Sequence, residues 1–236
     1  MSSVAVRLPD GHPGGVVRPR TLSRVPASEG NNDWNRDRIP TLPPLFRDLA
    51  VPCPATRGGI VPQEHEEVQV RPGTEADLAA LTDVYNHYVR ETAVTFDTAV
   101  FTPEQRRPWL HSHPEDGPHR LLVAWTGDRI AGYATSSPFR PKPAYATSVE
   151  ASVYLAPHAV GRGVGTVLYD ALFTALAEEP VHRVFAGVAL PNEASVRLHE
   201  RFGFRRVGEF TDAGWKFGRY WDVRWYEKPL GDHPSG

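Results

Sequence analysis

Residues 157–172 read P-H-A-V-G-R-G-V-G-T-V-L-Y-D-A-L and place a glycine at every second position, 161, 163 and 165, before an apolar segment. Glycine lets the backbone turn sharply and approach a ligand closely. A helix that starts here presents free N–H groups and a partial positive charge, which suit a phosphate group. The helix is predicted over about residues 163–179, and its apolar face comprises Val164, Val167, Leu168, Ala171, Leu172, Ala175 and Leu176.

Two familiar phosphate-binding motifs do not fit this spacing. A dinucleotide-binding turn requires G-x-G-x-x-G and an acidic residue at the end of the next strand. Here the third glycine comes one position early, and the next strand ends without an acid. A nucleoside-triphosphate loop requires G-K followed by Ser or Thr, which this stretch lacks. A tight strand-to-helix turn that binds nothing is the remaining alternative.

Strand and helix patterns continue on both sides of the glycine run, from about residue 68 onward. Thr74 and Thr102 are predicted N-caps of two helices, and residues 120–136 are typical of a β-hairpin around the turn T-G-D-R. The predicted order is β-α-α-β-β-β-α-β-α-β-β. Strands follow one another in the middle and alternate with helices later, which predicts an α+β domain with a mixed sheet covered by helices.

The first 65 residues differ from the rest in composition. Proline and glycine recur there without a helical or strand period, which predicts a disordered extension. Two alternatives stay open: the only methionine, Met1, precedes the true start, or the segment is a docking arm. We therefore expect an extension over residues 1–65, a folded domain over residues 66–230 and a tail over residues 231–236.

Overall composition excludes several classes of protein. The chain has 236 residues, of which 40% are hydrophobic and 23% charged, with a net charge of −2, so we expect no nucleic-acid partner. A single cysteine, Cys53, cannot form an intramolecular disulfide, which favours a cytoplasmic location. Because the sequence shows neither a long apolar run nor a signal-peptide pattern, we expect no membrane association. His111, His113 and His119 lie in a Pro/Gly-rich segment without a fixed face, so no metal site is expected.

The glycine spacing resembles [QR]-x-x-G-x-[GA], the acetyl-CoA signature of the GCN5-related N-acetyltransferases (GNAT). Gly163 and Gly165 take the two small positions, while Val160 departs from the usual Gln or Arg. Four further motifs in order resemble the phosphinothricin and methionine sulfoximine acetyltransferase branch: Y-N-H-Y, T-S-V-E-A-S-V-Y-L, L-P-N-E-A-S-V-R-L-H-E-R-F-G-F and G-W-K-F-G-R-Y-W-D-V. The resemblance covers about residues 68–230. It implies a three-layer GNAT fold, acetyl-CoA as co-substrate, a small-molecule amine acceptor and a homodimer.

Glu150 is the candidate base for such a reaction. Strand alternation places Ser148, Glu150, Ser152 and Tyr154 on one face of a predicted strand and the apolar residues on the other, so Glu150 faces a cleft. Amine acetylation needs an uncharged nucleophile, and a carboxylate can accept the ammonium proton. An ordinary exposed strand carboxylate is the alternative, and the resemblance implies the general-base role.

The resemblance also implies the residues that bind acetyl-CoA. They are Val153, Tyr154, Leu155, Gly161, Arg162, Gly163, Val164, Gly165, Thr166, Asn192 and Ser195. Asn192 is in addition a predicted N-cap. His199 stands where relatives often have a tyrosine that protonates the leaving thiolate, and imidazole can donate a proton near neutral pH. A structural helix histidine or a substrate contact is the alternative for His199.

For the acceptor, the resemblance points to the segment before the strand that carries Glu150. Arg140, Lys142 and Tyr145 are candidates for binding the acceptor carboxylate, and Phe96 for lining the same pocket. Solvated loop charges and ordinary core packing are the alternatives. We expect an N-acetyltransferase for the α-amine of a small amino acid or a similar inhibitor. The alternatives are an acetyl-CoA-binding module without turnover and an enzyme for another small amine or a peptide N-terminus.

Overall fold

The computed structural model describes residues 67–231. The predicted extension over residues 1–65 and residues 232–236 of the predicted tail lie outside the described residues.

The described residues form seven strands and four α-helices in the predicted order. The strands are β1 Val68–Pro72, β2 Leu121–Thr126, β3 Arg129–Pro138, β4 Ser148–Leu155, β5 Arg183–Ala189, β6 Arg205–Lys216 and β7 Arg219–Pro229. The helices are α1 Leu78–Glu91, α2 Pro103–His111, α3 Val164–Ala177 and α4 Glu193–Arg201. The main difference from the sequence pattern is β6, which runs several residues beyond its predicted end because it pairs with β7 as far as the turn.

The strands make one mixed sheet in the order β1-β2-β3-β4-β5-β7-β6. All neighbours are antiparallel except β4 and β5, which are parallel. Helices cover both faces, so the predicted three-layer α+β architecture is confirmed. Helices α1 and α2 pack on one face around Leu81, Val123 and Tyr133, whereas α3 and α4 pack on the other around Leu168 and Val184.

Helix α3 buries a face that differs in part from the predicted one. The predicted residues Val164, Leu168, Leu172 and Leu176 are almost fully buried, but Val167 is 37% exposed. The aromatic residues Tyr169 and Phe173 extend the buried face on the other side. Their rings pack against the rings of Phe202 and Phe204, which follow α4. Because α4 packs against α3, the buried face of α3 is shifted from the predicted face toward Tyr169 and Phe173.

Helix starts follow the capping pattern in the sequence. The Thr102 hydroxyl accepts a hydrogen bond from the Gln105 N–H, and Thr74 caps a single 3₁₀ turn that leads into α1. The Asn192 side chain accepts a hydrogen bond from the Ser195 N–H, which confirms it as the N-cap of α4. No helix among residues 67–231 is both long and apolar enough to cross a membrane.

Candidate active site

The centre of the sheet opens between its two parallel strands. β4 and β5 pair only at Ser148–Arg183, Val149–Val184 and Glu150–Phe185, and beyond these positions they separate. A narrow cavity of about 40 Å³ occupies the gap. Its lining combines β4 and β5 with the start of α4 and includes Ser152, Val153, Gly187, Asn192, Ser195 and His199.

Strand alternation determines which backbone groups face this gap. The Ala156 N–H donates to Ala131 on the β3 side, so the N–H and C=O groups of the odd-numbered residues before it point toward β5. Ala151, through its C=O, and Val153 therefore direct backbone groups into the gap, since the Ala151 N–H belongs to the last paired position with β5; Tyr154 directs its own groups to β3. Leu155 also faces the gap side, but the Tyr88 hydroxyl bonds both its N–H and its C=O, at 3.2 and 2.7 Å.

The glycine run, residues 161–165, forms a turn of open backbone at the start of α3, which we call the cradle. Gly161 and Gly163 have φ of +79° and +81°, and a Cβ atom at either position would meet no atom within 4 Å. Their conformation, and not crowding, therefore requires glycine. Within the described residues, the N–H groups of Gly161, Gly163, Val164 and Gly165 enter no backbone hydrogen bond, so they are available to an anion.

Gly165 has a different reason to be glycine. A Cβ atom there would lie 3.3 Å from a Leu198 methyl group, so the small residue lets α3 approach α4 closely. The Val164 side chain is buried in the core, which leaves only its N–H for a ligand. Arg162 is exposed beside the cradle, and Thr166 lies in the first turn of the helix.

His199 is buried at the back of the gap, with a side chain 3% exposed. Its Nδ1 lies 2.7 Å from the Ser195 carbonyl oxygen, which can only accept, so the proton is on Nδ1. Its Nε2 lies 3.0 Å from the Tyr169 hydroxyl, which donates to it. Burial lowers the pKa of His199 and keeps the ring neutral. This arrangement favours a positioning role over direct proton donation.

Glu150 is half-buried at the point where β4 and β5 separate. Among the described residues, its carboxylate has no hydrogen bond and no ion pair within 4.0 Å, although the Arg140 charge is near enough to act on it. Burial raises the pKa of Glu150, and the attraction of Arg140 lowers it to a smaller extent. An unpaired carboxylate with a raised pKa at the edge of a cavity can accept a proton at neutral pH.

The four predicted acceptor residues lie in two places. The Arg140 guanidinium stacks over the Phe139 ring at 4.4 Å, and Tyr145 meets the same ring edge-on; Arg140 is also close enough to Glu150 to act on its charge. Lys142 is exposed on the adjoining turn. Phe96 lies in the loop between α1 and α2 and packs flat against the backbone at Gly214 of β6.

A second cavity, which the sequence analysis missed, lies beneath α2. We call it the α2 cavity; it has a volume of about 250 Å³ and is lined by Tyr85, Asp97, Phe101, Gln105, Arg106, Trp109, Tyr133, Thr135, Ser137, Ser152 and Tyr154. Ser152 and Tyr154 line this cavity and the gap alike, so the two adjoin. A sequence signal existed: Arg106 shares the helical face of Leu110, and a charged residue on an apolar face is unusual.

The histidine-rich segment before β2 holds no cluster of metal-binding side chains, and none occurs elsewhere within residues 67–231. His113 is buried; its Nδ1 bonds the Trp109 carbonyl at 2.7 Å and its Nε2 lies 3.0 Å from the Ser137 hydroxyl. Burial lowers the pKa of His113, so the imidazole ring is neutral and links α2 to β3 through these hydrogen bonds.

Comparison with known proteins gives consistent results. The family model for the acetyltransferase (GNAT) domain matches residues 70–225. A phosphinothricin N-acetyltransferase of Streptomyces coelicolor is 69% identical over 166 residues, which cover 70% of this chain and 97% of that protein. An L-methionine sulfoximine/L-methionine sulfone acetyltransferase of Salmonella typhimurium is 31% identical over 166 residues, covering 70% and 96% of the two chains.

Solved structures with similar folds include complexes with acetyl-CoA. One of them is a GNAT superfamily phosphinothricin acetyltransferase from Sinorhizobium meliloti in complex with acetyl-CoA. The TM-score is 0.67 at 27% identity, and the match covers 70% of this chain and 89% of that one.

Proposed function

The chain belongs to the GNAT acetyltransferase family and has the fold that its sequence predicted, and from this premise we propose its reaction and the residues that carry it out. The protein is an N-acetyltransferase. Its reaction transfers the acetyl group of acetyl-CoA to the α-amino group of a small amino acid or an amino-acid-like inhibitor of the phosphinothricin or methionine sulfoximine type. Relatives that act on such acceptors support this assignment.

The residues fit acetyl-CoA in two places, and no metal is part of the proposal. Four free N–H groups from Gly161 to Gly165, with Arg162 beside them, suit the pyrophosphate. The backbone groups of Ala151 and Val153 face the gap, where they suit the pantetheine amides in the manner of an added strand. Asn192 and Ser195 line the same gap. When bound, acetyl-CoA supplies an activated acetyl group as a thioester.

The predicted contacts of Tyr154 and Leu155 take a different form in this proposal. Tyr154 contributes its side chain to the wall of the gap, because its backbone groups point to β3. Leu155 contributes only its side chain, because the Tyr88 hydroxyl already forms hydrogen bonds with its backbone N–H and C=O. Thr166 and the Val164 N–H complete the rim of the cradle.

The observation that carries the proposal is the unpaired carboxylate of Glu150 at the junction of the gap and the acceptor side. We assign it the removal of a proton from the acceptor ammonium, directly or through a water molecule. The raised pKa of Glu150 brings it closer to neutral pH, where a base both is deprotonated and retains proton affinity. Arg140, which acts on Glu150, and Tyr145, which packs on the same Phe139 ring as Arg140, suit the acceptor carboxylate, and we retain Lys142 and Phe96 as peripheral candidates.

For the leaving thiolate we propose the Tyr169–His199 pair, with His199 holding the Tyr169 hydroxyl toward the gap. Because the His199 proton is bound to the Ser195 carbonyl, the proton for the thiolate is that of Tyr169: its hydroxyl exchanges the bond to His199 Nε2 for one to the sulfur, and the phenolate left behind takes a proton back from water. We expect Tyr169→Phe to lower kcat about tenfold with little change in the Kd of acetyl-CoA, and His199→Gln to act in the same direction. Unchanged kcat in both variants, measured by thiol release, would remove the pair from the mechanism.

We propose a homodimer that forms through the β6–β7 hairpin. Phe210, Trp215, Phe217 and Tyr220 are each more than half exposed on this hairpin, and clustered exposed apolar residues mark interaction surfaces. We expect the double substitution Trp215→Glu and Tyr220→Glu to give a monomer in sedimentation velocity. Val167→Glu, which alters a single exposed valine on α3, serves as the control and should leave the dimer intact. A monomeric wild-type protein at micromolar concentration would contradict the proposal.

We also propose a cytoplasmic location, which the single cysteine favours, and a catalytic domain that spans residues 66–230. Fractionation of cells that express the tagged full chain tests the location, and recovery in the membrane or secreted fraction contradicts it. Protein without residues 1–63 should keep full turnover if the domain boundary is right.

The experiment that tests the function is thiol release from acetyl-CoA with a panel of amines. The panel contains phosphinothricin, methionine sulfoximine, methionine sulfone, the standard amino acids, polyamines and short peptides. Turnover confined to the amino-acid-like acceptors supports the proposal, and turnover confined to polyamines or peptides would replace the acceptor. Binding of acetyl-CoA without turnover on any amine would favour the alternative of a binding module.

A further inference from the structure

Arg106 is a buried cation without a counter-ion. Its side chain is 6% exposed, and among the described residues no carboxylate lies within 4.0 Å of it. The guanidinium lies over the Trp109 ring at 3.9 Å and the Tyr85 ring at 4.2 Å, which fixes its plane. Its one hydrogen bond in this part of the chain is a long one, 3.4 Å to the Leu81 carbonyl. Most of its five N–H donors therefore have no protein acceptor.

The other buried cation of the described chain is compensated. The Lys216 ammonium donates to the Thr95 carbonyl at 2.8 Å and interacts electrostatically with Asp97. Asp97 also accepts a hydrogen bond from the Tyr85 hydroxyl, so its charge is balanced by these neighbours. Asp97 and Arg106 both line the α2 cavity, but Asp97 is held by Tyr85 and acts on Lys216, and Arg106 has no carboxylate within 4.0 Å among the described residues. Burying a charge without a partner is costly, which makes an anionic occupant the natural completion.

A second polar group of the α2 cavity has Arg106 as its only polar partner among residues 67–231. The Tyr133 hydroxyl is buried beneath Arg106, 6.0 Å from guanidinium carbon to ring centre; Arg106 is close enough to act on this hydroxyl, which has no other hydrogen-bond partner within the described residues. The cavity wall continues with the hydroxyl groups of Thr135 and Ser152, whereas the Ser137 hydroxyl, which also lines it, donates to His113 Nε2. An anion with oxygen atoms would find both a fixed guanidinium and several hydroxyl donors here.

The α2 cavity is placed to receive one end of an acceptor whose amine lies at Glu150. Along β3 and β4 the paired residues are Tyr133–Tyr154, Thr135–Ser152 and Ser137–Glu150. Each step between these pairs is about 7 Å, since a strand rises about 3.3 Å per residue. In phosphinothricin four bonds of about 1.5 Å separate the amine nitrogen from phosphorus, a reach of about 5 Å. An amine at the Ser152 level, joined to Glu150 through a water molecule, would bring an acidic tail that extends along the strands to the Tyr133–Tyr154 level beside Arg106.

From these observations we propose that the α2 cavity is the subsite for an anionic side-chain terminus of the acceptor, a phosphinate or a carboxylate, with Arg106 as its counter-charge. This inference rests on the proposed acetylation of small amino acids and adds a preference among them. It assigns Arg106 a role in specificity that is separate from the α-carboxylate contact assigned to Arg140. An acceptor with a neutral terminus fills the same space without the ionic hydrogen bonds.

Phosphinothricin and methionine sulfone form a matched pair of probes for this test. The two have the same carbon chain and nearly the same shape, and they differ in that the phosphinate is charged whereas the sulfone is not. In the Arg106→Gln variant we expect kcat/KM for phosphinothricin to fall about 10- to 100-fold and that for methionine sulfone to change less than about threefold. In Arg106→Lys, kcat/KM for phosphinothricin should fall less, because lysine keeps the positive charge but lacks the planar guanidinium group.

Arg140→Gln is the matched control, since it removes a guanidinium from the acceptor side and should lower kcat/KM for both probes to a similar extent. An equal loss for both probes in Arg106→Gln would mean that Arg106 is only structural, and no loss would mean that the cavity is not used. Either result overturns the proposal. If thermal unfolding shows that Arg106→Gln does not fold, the same comparison is made with Arg106→Lys. A larger loss of kcat/KM for phosphinothricin than for methionine sulfone then supports the proposal, and an equal loss or no loss overturns it.

Calorimetry separates this inference from the proposed reaction. The two probes are titrated into the full chain with free CoA in place of acetyl-CoA, so that no transfer takes place. Tighter binding of phosphinothricin than of methionine sulfone, lost in an Arg106 variant and kept in Arg140→Gln, supports the subsite even if no amine is acetylated. Equal affinities for the two probes in the wild-type protein overturn it even if the acetylation is confirmed.

Discussion

The Glu150→Gln variant is expected to lose about 10²- to 10⁴-fold in kcat for the preferred acceptor at neutral pH. The physical reason is that glutamine has nearly the shape of glutamate but cannot accept the ammonium proton, and general-base catalysis contributes rate factors of this order. The Kd of acetyl-CoA should change little, because the cradle at Gly161–Gly165 and the gap stay intact. The measurement is thiol release under saturating acetyl-CoA, with isothermal titration for the affinity.

The pH dependence of the wild-type enzyme gives an independent check on Glu150. A base acts only when deprotonated, so kcat/KM should fall as the pH drops through the pKa of Glu150. Since burial raises that pKa, this acidic limb should lie above the ordinary range for a glutamate. In Glu150→Gln the limb should vanish from the residual activity. A limb that persists unchanged in the variant would assign it to another group.

The same substitution should not harm the fold. A carboxyl group with a raised pKa in the folded state contributes stability below its unfolded pKa and loses it as the pH rises through the folded value. At neutral pH the Glu150 charge is therefore unfavourable for folding, and a neutral glutamine should leave the melting temperature equal or slightly higher. Glu178→Gln at the exposed end of α3 is the control and should affect neither kcat nor stability. A large fall in melting temperature would indicate a structural role for Glu150.

The second large effect is expected from Gly163→Asp, which should weaken acetyl-CoA binding about 100-fold. Gly163 is the N-cap of α3 at a φ of +81°, a conformation that Asp and Asn tolerate better than other residues with a side chain. The aspartate carboxylate would accept from the free N–H groups of the cradle and repel the pyrophosphate, and two unit charges at contact distance are worth about 1 to 4 kcal/mol near a protein surface. The Kd from isothermal titration is the measurement.

Two control variants separate charge from conformation at this position. Gly163→Asn has almost the same shape without the charge, and its Kd should rise no more than about tenfold. Gly117→Asp introduces the same residue at another open glycine with positive φ, +90°, away from the cradle, and should leave the Kd unchanged. An equal loss of affinity in the Asp and Asn variants of Gly163 would mean that the cradle binds through shape alone. An unchanged Kd in Gly163→Asp would mean that the cradle does not hold the anion.

Local patterns in the sequence predicted the order of all eleven elements and the N-caps Thr102 and Asn192. They also predicted the alternation that directs Glu150 away from the apolar core and the helix that follows the glycines. These features depend on residues close in sequence: backbone preferences, side-chain periodicity of 2 or 3.6, and hydrogen bonds across three or four residues. For the glycines, the sequence indicated that the backbone approaches a ligand closely. The structure gives other reasons why each position is a glycine: positive φ at Gly161 and Gly163, and the packing of α3 against α4 at Gly165.

Other features depend on residues that are distant in the chain and so leave little trace in any local pattern. The gap exists because β4 and β5 share only three paired positions, and the Tyr88 hydroxyl bonds Leu155, 67 residues away. The partner of the His199 Nε2 is the Tyr169 hydroxyl, 30 residues away, and the aromatic face of α3 depends on α4. The sequence by itself determined the elements, because these follow from short-range chemistry, and its motifs indicated the family and the candidate base through their resemblance to known acetyltransferases. Only the tertiary structure placed Arg106 without a counter-ion beside the acceptor side, because that position results from packing α2 against α1 and β3.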